Sequence, residues 1–427
     1  MRVLLLAYAC GPDEGSEPGA GWAWARLLSG IGETWVITRA NNRDAIEAAL
    51  PETPDRLGLR FVYVDLPERA RRWKRGRRGI HLYYLLWQRA ALAKARELHE
   101  AERFDLVWHV TLANLWLGSV APLLGITSIV GPVGGGVRPP IGLLPGLGLR
   151  GLAYEAVRTC LSSAFRYTNP LARVVFRRAD LILTQNHETR QWLPRERRAR
   201  SIVLPNVILD QSASVRARSS EPIIAMFAGR LLPWKGAWLA IRALEHLPGR
   251  TLLVCGTGPD IGRLRRLATK LGVHDRVRFL GELPRSEVIR LMREEVDVFV
   301  FPSLREEAGW AVAEAIASGL PVVALDRGGP PVLGASVVRS STVRRTARDL
   351  ARAVASAAPS AASASDLTQE RRTIWVRELI RDWIGLDLPE RARGSMGEVG
   401  RPMPEGETAD ILPSEAAPPR PPKDGSP

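Results

Sequence analysis

Short apolar runs alternate with longer amphipathic stretches along most of the chain. Each run has three to six residues, mostly valine, isoleucine and leucine, and hydrophobic residues recur at helical spacing between the runs. This alternation is typical of βαβ units that build a buried parallel sheet. The predicted strands of the first half are 3–8, 34–38, 59–64, 106–110, 128–130 and 181–184. Those of the second half are 223–227, 251–254, 277–280, 296–300 and 322–324.

The same alternation occurs twice, which predicts two doubly wound α/β domains. A polar run at 211–221 lies between them as the natural hinge. Helical periodicity returns at 374–384, and the chain after it turns to Pro, Gly, Glu and Ser, a composition that cannot bury enough apolar surface to fold. The predicted boundaries are a first domain at 1–207, a second domain at 208–368, a helical segment at 369–388 and a disordered tail at 389–427.

The longest stretch without Asp, Glu, Lys or Arg runs from Leu106 to Val137. Its length raises the question of a membrane span. Asn114, Pro122 and the three glycines at 134–136 interrupt it. We therefore expect a buried helix followed by a buried strand here, and no span.

Lys and Arg number 60 against 45 Asp and Glu, a net charge of +15, which predicts an anionic partner. Seven positive charges surround Trp73 between Arg69 and Arg78. We predict that this segment rests on an anionic membrane surface, where each basic residue contributes about 1 kcal/mol; a solvated loop is the alternative. The sequence contains no aromatic-interleaved basic motif of a known nucleic-acid reader, and its two predicted domains are of a nucleotide-binding type, so we expect no nucleic-acid partner.

The three cysteines, Cys10, Cys160 and Cys255, have no paired spacing. They predict neither a disulfide framework nor a zinc cluster, and we expect small core residues in a reducing cytoplasm. Together with the basic segment, this predicts a cytoplasmic protein that is peripheral on the inner face of the membrane.

Two turns after predicted strands of the second half carry groups that suit a phosphate ligand. Arg230 and Lys235 follow strand 223–227 and precede a helix, which is where a diphosphate needs cations. Gly256 and Gly258 follow the next strand and let a ligand approach the backbone closely. An arginine and a lysine in a loop are more often solvated, however, and a tight strand-to-helix turn accounts for the glycines equally well.

Glu306 and Glu314 are separated by seven residues and follow strand 296–300. Glu287 and Glu295 have the same spacing on what reads as a solvated helix, so the spacing alone is not diagnostic. The first pair differs in context, since it follows a Pro-Ser turn and has apolar neighbours, where an unpaired carboxylate is costly to bury.

Taken in order and spacing, these residues resemble the donor half of glycosyltransferase family 4, retaining enzymes of the GT-B fold. In the second half the resemblance is carried by Gly229-Arg230, Lys235-Gly236, Gly256-x-Gly258-Pro259, Phe301-Pro302-Ser303, Glu306-x7-Glu314-Ala315 and Gly319-Leu320-Pro321. In the first half it is carried by Gly15-Ser16-Glu17-Pro18-Gly19-Ala20-Gly21-Trp22, Trp108-His109-Val110-Thr111 and Gly131-Pro132-Val133-Gly134-Gly135-Gly136. It covers about residues 1–385 and implies an acceptor-side and a donor-nucleotide Rossmann-like domain that face a central cleft. It also implies that the helical segment at 369–388 crosses back onto the first domain.

The resemblance implies roles for individual residues. Arg230 and Lys235 would hold the donor diphosphate and stabilise it as it leaves, a task that a metal ion performs in other transferases. Glu306 would contact the transferred sugar, Glu314 would bind the ribose hydroxyls, and His109 would act near the donor sugar. The other implied donor contacts are Gly256, Gly258, Gly309, Trp310 and Ala311, and the implied acceptor-side loop contains Gly19 and Gly21.

This chain departs from the commonest family pattern at three places. One is the segment from Val338 to Arg348, which is rich in arginine where the family usually has a more acidic loop and helix. Ala308 stands where Phe is frequent, and Glu307 duplicates the first acid, although spacing selects Glu306. No Asp-x-Asp sequence is present, so we expect no metal and no cofactor.

The implied activity is retaining, metal-independent transfer of a hexose. The donor would be a nucleoside-diphosphate sugar and the acceptor a lipid-linked or saccharide molecule, in polysaccharide or glycolipid assembly. A nucleotide-sugar hydrolase or epimerase of the same fold and a non-catalytic nucleotide-sugar-binding protein remain the alternatives.

Overall fold

The computed structural model describes residues 1–12, 14–53, 56–71, 79–209, 224–357 and 367–385, with no side-chain description at 70, 71 and 384. The expected hinge at 211–221, the tail at 389–427 and residues 72–78 of the basic segment lie outside the described residues. The strands of the first sheet are β1 (Arg2–Leu6), β2 (Glu33–Thr38), β3 (Leu59–Tyr63), β4 (Leu106–His109), β5 (Thr127–Val133), β6 (Leu181–Thr184) and β7 (Ser201–Val203). Those of the second are β8 (Ile224–Ala228), β9 (Thr251–Cys255), β10 (Val277–Gly281), β11 (Val298–Phe301), β12 (Val322–Leu325) and β13 (Ser336–Val338).

Helices connect these strands. They are α1 (Ser16–Ser29), α2 (Arg43–Ala49), α3 (Glu68–Arg71), α4 (Ile80–Glu102), α5 (Gly148–Thr168), α6 (Pro170–Arg178), α7 (His187–Gln191), α8 (Arg195–Ala199), α9 (Ala237–Leu244), α10 (Ile261–Lys270), α11 (Arg285–Glu294), α12 (Trp310–Ala317), α13 (Gly329–Val332), α14 (Val343–Ala355) and α15 (Gln369–Ile384). Short 3-10 helices lie at Ala40–Asn42, Leu50–Glu52, Arg56–Gly58, Ala121–Leu123, Ile141–Leu147, Pro233–Lys235 and His274–Arg276.

Both sheets are parallel and doubly wound. The strand orders are β3-β2-β1-β4-β5-β6-β7 and β10-β9-β8-β11-β12-β13. In each sheet the order reverses direction once, between β1 and β4 and between β8 and β11. Ligands of such sheets bind outside the carboxyl ends of the strands at this switch point. The predicted pair of doubly wound α/β domains is confirmed.

Successive side chains of β1 enter two different cores. Val3 and Leu5 pack with α1 on one face of the first sheet, whereas Leu4 and Leu6 pack with α4 on the other. This follows from the period of two along a strand, and burial on both faces explains why the run is uninterruptedly apolar.

Within the described residues, the core of each domain includes a segment from the other half of the chain. Val376 and Ile380 of α15 are buried in the first domain's core, and Arg377 donates a hydrogen bond to the carbonyl of Gly30. In the opposite sense, Leu143 and Leu147 of the 3-10 segment before α5 are buried in the core of the second domain. The segment leading into α5 is therefore anchored to the second domain although it precedes β6 of the first.

The expected buried helix within 106–137 is wrong. The segment between β4 and β5 is a loop with one 3-10 turn at Ala121–Leu123. Asn114 bridges to Gly134, and Gly118 has a φ of 71°, a left-handed backbone that ends any α-helix at this point. No helix among the described residues is long and apolar enough to cross a membrane.

Smaller differences concern strand ends and one cysteine. β11 begins at Val298 instead of 296, and the three-residue strands β7 and β13 were not predicted because each begins with a serine and is too short to show a pattern. Cys10 and Cys255 are buried as expected, but Cys160 is exposed on α5.

Candidate active site

The switch point of the second sheet brings a predicted cation and a predicted acid together. Lys235 ends the 3-10 helix after β8, and Glu306 lies in the loop after β11. The Nζ atom of Lys235 is 2.5 Å from Oε2 of Glu306, and their side chains are 23% and 13% exposed. Both side chains are mostly buried, and each supplies the counter-charge that the other needs there. Both are still partly accessible to solvent.

Backbone hydrogen bonds hold the loops after β8, β9 and β11 together at one edge of the second sheet. The amide of Leu304 donates to the carbonyl of Trp234 (2.8 Å), and the amide of Leu231 donates to that of Thr257 (2.8 Å). Gly256 has a φ of 124°, and a Cβ there would lie 2.1 Å from the carbonyl oxygen of Gly229. Only glycine fits such an approach, so the glycine turn joins two loops of the site.

Two more positive features lie at this edge. Arg230 is exposed directly after β8, and its side chain has no partner among the described residues. Helix α12 begins after Gly309, so the amides of Trp310 and Ala311 belong to its first turn, whose N–H groups have no acceptor within the helix. Cations and a helix N-terminus on one edge suit a diphosphate.

Glu314 points from α12 to Arg285 at the start of α11, and Oε1 of Glu314 is 2.7 Å from Nε of Arg285. The two glutamates of the predicted motif thus have different cationic partners. Glu287 and Glu295 both bind Arg290 on the solvated side of α11, where Arg290 lowers the pKa of Glu287. The two pairs thus differ in burial and in their partners, and the roles of Glu306 and Glu314 stay predictions.

At the switch point of the first sheet, His109 lies at the end of β4 and is fully buried. Its Nδ1 is 2.6 Å from Oγ of Ser119, and its Nε2 is 2.8 Å from the hydroxyl of Tyr84 and 3.1 Å from the carbonyl oxygen of Thr111. Since a carbonyl only accepts, we assign the ring proton to Nε2. Burial lowers the pKa of His109 to about 4, so the imidazole is neutral near pH 7. Its role in the reaction stays a prediction.

Glu17 is a carboxylate at the same edge of the first sheet. It belongs to the motif at 15–22, but the sequence predicted no role for it. It lies in the first turn of α1, and its Oε2 accepts a hydrogen bond from the amide of Leu112 (2.8 Å). Burial raises the pKa of Glu17, and the charge of Glu307 raises it further. Gly19 and Gly21 lie in the same helix, where a Cβ on Gly21 would be 2.0 Å from the carbonyl oxygen of Ala9. Both glycines thus let α1 approach the loop after β1.

Glu307 connects the two domains. The amide nitrogen of the Asn186 side chain donates to its carbonyl oxygen (2.9 Å) and to its Oε2 (3.2 Å), and the hydroxyl of Thr189 lies 3.2 Å from the same Oε2. Burial raises the pKa of Glu307 despite these hydrogen bonds. The second acid, which looked like a duplicate in the sequence, therefore faces the first domain while Glu306 faces Lys235.

Further contacts close the cleft around this loop. Glu188 accepts a hydrogen bond from the amide of Gly328 (3.0 Å). Arg305 forms an ion pair of 2.9 Å with Glu155 of α5, and its guanidinium lies over the ring of Trp234. No sequence signal marked these contacts, because Glu188 and Gly328, and likewise Glu155 and Arg305, are more than 100 positions apart along the chain. Among the described residues no group of three His, Cys, Asp or Glu side chains is placed to hold a metal ion.

Comparison with known proteins agrees with this geometry. Residues 210–372 match the family model of glycosyl transferases group 1. A segment of 145 residues is 39% identical to the D-inositol 3-phosphate glycosyltransferase of Mycobacteroides abscessus, covering 31% of this chain and 32% of that protein. A segment of 124 residues is 36% identical to the lipopolysaccharide core biosynthesis glycosyltransferase LpsE of Rhizobium meliloti, covering 29% and 35%. The matches thus span about a third of the length of these relatives.

The likeness in structure extends much further along the chain. The crystal structure of Anabaena Alr3699/HepE in complex with UDP and glucose superposes with a TM-score of 0.55 at 17% identity, covering 90% of this chain and 99% of that one. The two facing doubly wound sheets and this likeness define a two-domain α/β protein of the GT-B fold. Within that class, its second domain carries the sequence pattern of the group 1 glycosyl transferases.

The buried neutral state of His109 predicts a pH dependence of stability. Its pKa is about 4 in the fold and 6.5 when unperturbed, so the unfolded state binds a proton that the folded state does not. This contribution is complete above about pH 6.5 and is lost as pH falls toward 4. We expect wild type to lose about 2 kcal/mol of unfolding free energy through this group between pH 6.5 and 5.

His109→Gln should remove that slope, as measured by urea unfolding at several pH values. Comparing the two proteins cancels the opposite contributions of Glu17 and Glu307. Identical slopes for wild type and variant would show that His109 is not held neutral by the fold.

Proposed function

We propose that this protein is a retaining glycosyltransferase that moves a hexose from a nucleoside-diphosphate sugar to a lipid-linked or saccharide acceptor. The observation that carries the proposal is the Lys235–Glu306 pair at the switch point of the second sheet, facing the first domain across Glu307. A hydrolase needs no acceptor site, so hydrolysis would give no role to the polar edge of the first domain, which contains Glu17 and His109.

The donor diphosphate occupies the edge formed by Arg230, Lys235 and the first turn of α12. On binding, the diphosphate takes over Lys235, which frees the carboxylate of Glu306 to contact the sugar. Arg230 and Lys235 then stabilise the charge that develops on the leaving diphosphate, so no metal or other cofactor is needed. The complex of Alr3699/HepE with UDP and glucose supports a ligand of this class.

The acceptor enters from the first domain, beside Glu17 and the loop after β4. Both named relatives support a phosphorylated or glycolipid acceptor, since one acts on D-inositol 3-phosphate and the other in lipopolysaccharide core synthesis. We place the reaction in polysaccharide or glycolipid assembly on the inner face of the membrane, with the basic segment Arg69 to Arg78 adding attraction to anionic lipid.

Arg230→Ala and Lys235→Ala should each weaken binding of the nucleoside diphosphate by about ten- to hundredfold, because a hydrogen bond to a charged group contributes about 1.5 to 3 kcal/mol. Titration calorimetry with UDP, GDP and ADP measures this. Arg266→Ala and Lys270→Ala are matched controls, since both side chains are exposed on α10 of the same domain. Unchanged affinity in the first two variants, with the fold intact, contradicts the donor site.

Glu306→Gln should lower turnover by about a hundredfold, the usual effect of removing one electrostatic group from a transition state. Glu287→Gln removes a carboxylate with the same motif spacing and should change turnover less than twofold. Released nucleoside diphosphate is measured with nucleoside-diphosphate hexoses and a panel of lipid-linked and oligosaccharide acceptors.

The same assay tests the finer parts of the proposal. Activity should survive EDTA, and proton NMR should show a product with the donor's anomeric configuration. Release that does not depend on acceptor would identify a hydrolase, and an inverted product or equal loss in both glutamine variants would also count against the mechanism.

A further inference from the structure

Helix α5 has its apolar side facing solvent. Of the twelve large hydrophobic side chains that are exposed among the described residues, seven lie on this one helix. They include Leu149, Val157 and Leu161, which are 87%, 59% and 55% exposed. Isolated exposed apolar residues are ordinary on protein surfaces, but a contiguous set on one element marks an interaction site.

The polar side of the same helix faces the protein. Glu155 is buried and forms ion pairs with Arg158 on the same helix and with Arg305 of the second domain. Of the thirteen exposed residues of α5, only Arg150 and Thr168 are not aliphatic, aromatic or cysteine. The apolar side of the amphipathic helix is thus turned toward solvent, the reverse of a helix that packs on a core. Most of this side is exposed in the described part of the chain.

Charge identifies the chemistry of the partner. From Arg138 to Arg178 the chain has seven arginines and one carboxylate, Glu155, which is buried. Arg150 is exposed in the first turn of α5, and Arg173 donates two hydrogen bonds to the carbonyl of Tyr167 at its last turn. An apolar strip bounded by cations matches the surface of an anionic bilayer. A second copy of this face would bring arginines against arginines without a carboxylate between them.

The strip continues onto the first domain. The ring of Phe165 packs edge-on against Trp116, and Trp116 packs edge-on against His81 at the start of α4. The next residue, Leu82, is 56% exposed. Aromatic rings of this kind suit the headgroup layer of a membrane, so the surface is wider than one helix.

The position of α5 relates this surface to the cleft. Tyr154 stacks on Trp234 with ring centres 4.7 Å apart and planes 7° apart, and Trp234 directly precedes Lys235. Glu155 reaches Arg305, which directly precedes Glu306. A bilayer that meets α5 therefore lies beside the entrance to the candidate site.

We propose that the outer side of α5, with Leu149, Leu152, Val157, Leu161 and Phe165, inserts into the interface of an anionic membrane. This inference rests on the fold and not on the proposed transferase activity. It is also distinct from the attraction of the basic segment Arg69 to Arg78, because it is a buried apolar contact that salt does not screen.

Sedimentation with vesicles tests the contact without donor or acceptor. Vesicles of phosphatidylcholine with phosphatidylglycerol in a three-to-one ratio should bind the full chain, and the triple variant Val157→Gln, Leu161→Gln, Phe165→Gln should bind more than tenfold more weakly. The control Leu57→Gln, Val337→Gln, Ile374→Gln removes three exposed apolar side chains elsewhere and should bind within twofold of wild type. Circular dichroism and thermal unfolding verify that both variants fold.

Cys160 provides a second readout, since it lies on the exposed side of α5 and the other two cysteines are buried. An environment-sensitive fluorophore on Cys160 should shift to the blue on adding these vesicles, whereas one on Leu57→Cys in a Cys160→Ser background should not. Binding with no shift at Cys160 assigns the contact to another segment and overturns the proposal. A dimer in sedimentation velocity that the triple variant converts to monomer overturns it as well, because the occupant is then a second copy.

Discussion

Three consecutive charged side chains, Arg305, Glu306 and Glu307, each need a partner because charge is costly to remove from water. The partners lie in three different parts of the molecule: Glu155 on α5, Lys235 after β8, and Asn186 with Thr189 at α7. A loop held in three directions at once has little freedom. The place of α5, the donor edge and the approach of the first domain all depend on this tripeptide.

The same loop would allow one cleft to hold the two substrates of the proposed transfer. Glu306 pairs with Lys235, the cation that the proposed diphosphate would need. Glu307 and Glu17 approach from opposite domains, and burial raises the pKa of both. The proposed donor edge thus combines Arg230 and Lys235 with Glu306, whereas the facing edge of the first domain carries Glu17 and the neutral imidazole of His109. Such an asymmetry suits transfer between two bound molecules better than binding of one.

Patterns of short range in the chain predicted much of this. The βαβ alternation predicted both sheets, and Lys235 and Glu306 were placed at one site by their positions after strands, because carboxyl ends of parallel strands share an edge. The sequence does not show which way the side chain of Glu307 points, because that depends on Asn186, which is more than 100 residues away along the chain. Periodicity also shows which side of a helix such as α5 is apolar, but not whether that side meets a core. The expected helix within the described residues 106–137 is absent because Gly118 has a left-handed backbone and Asn114 bridges to Gly134, directly after β5. The apolar content of the segment does not reveal either feature.

The central claim is that a nucleoside diphosphate binds at the Lys235–Glu306 edge of the second sheet. Hydrogen–deuterium exchange measured with and without saturating UDP, GDP or ADP tests it most directly. We predict slower exchange at 229–236 and 306–312, where the lysine loop and the first turn of α12 would meet the diphosphate, and no protection of β1 to β3 in the first domain. Protection confined to the first domain, or none at 229–236 when calorimetry shows the nucleotide bound, would contradict it.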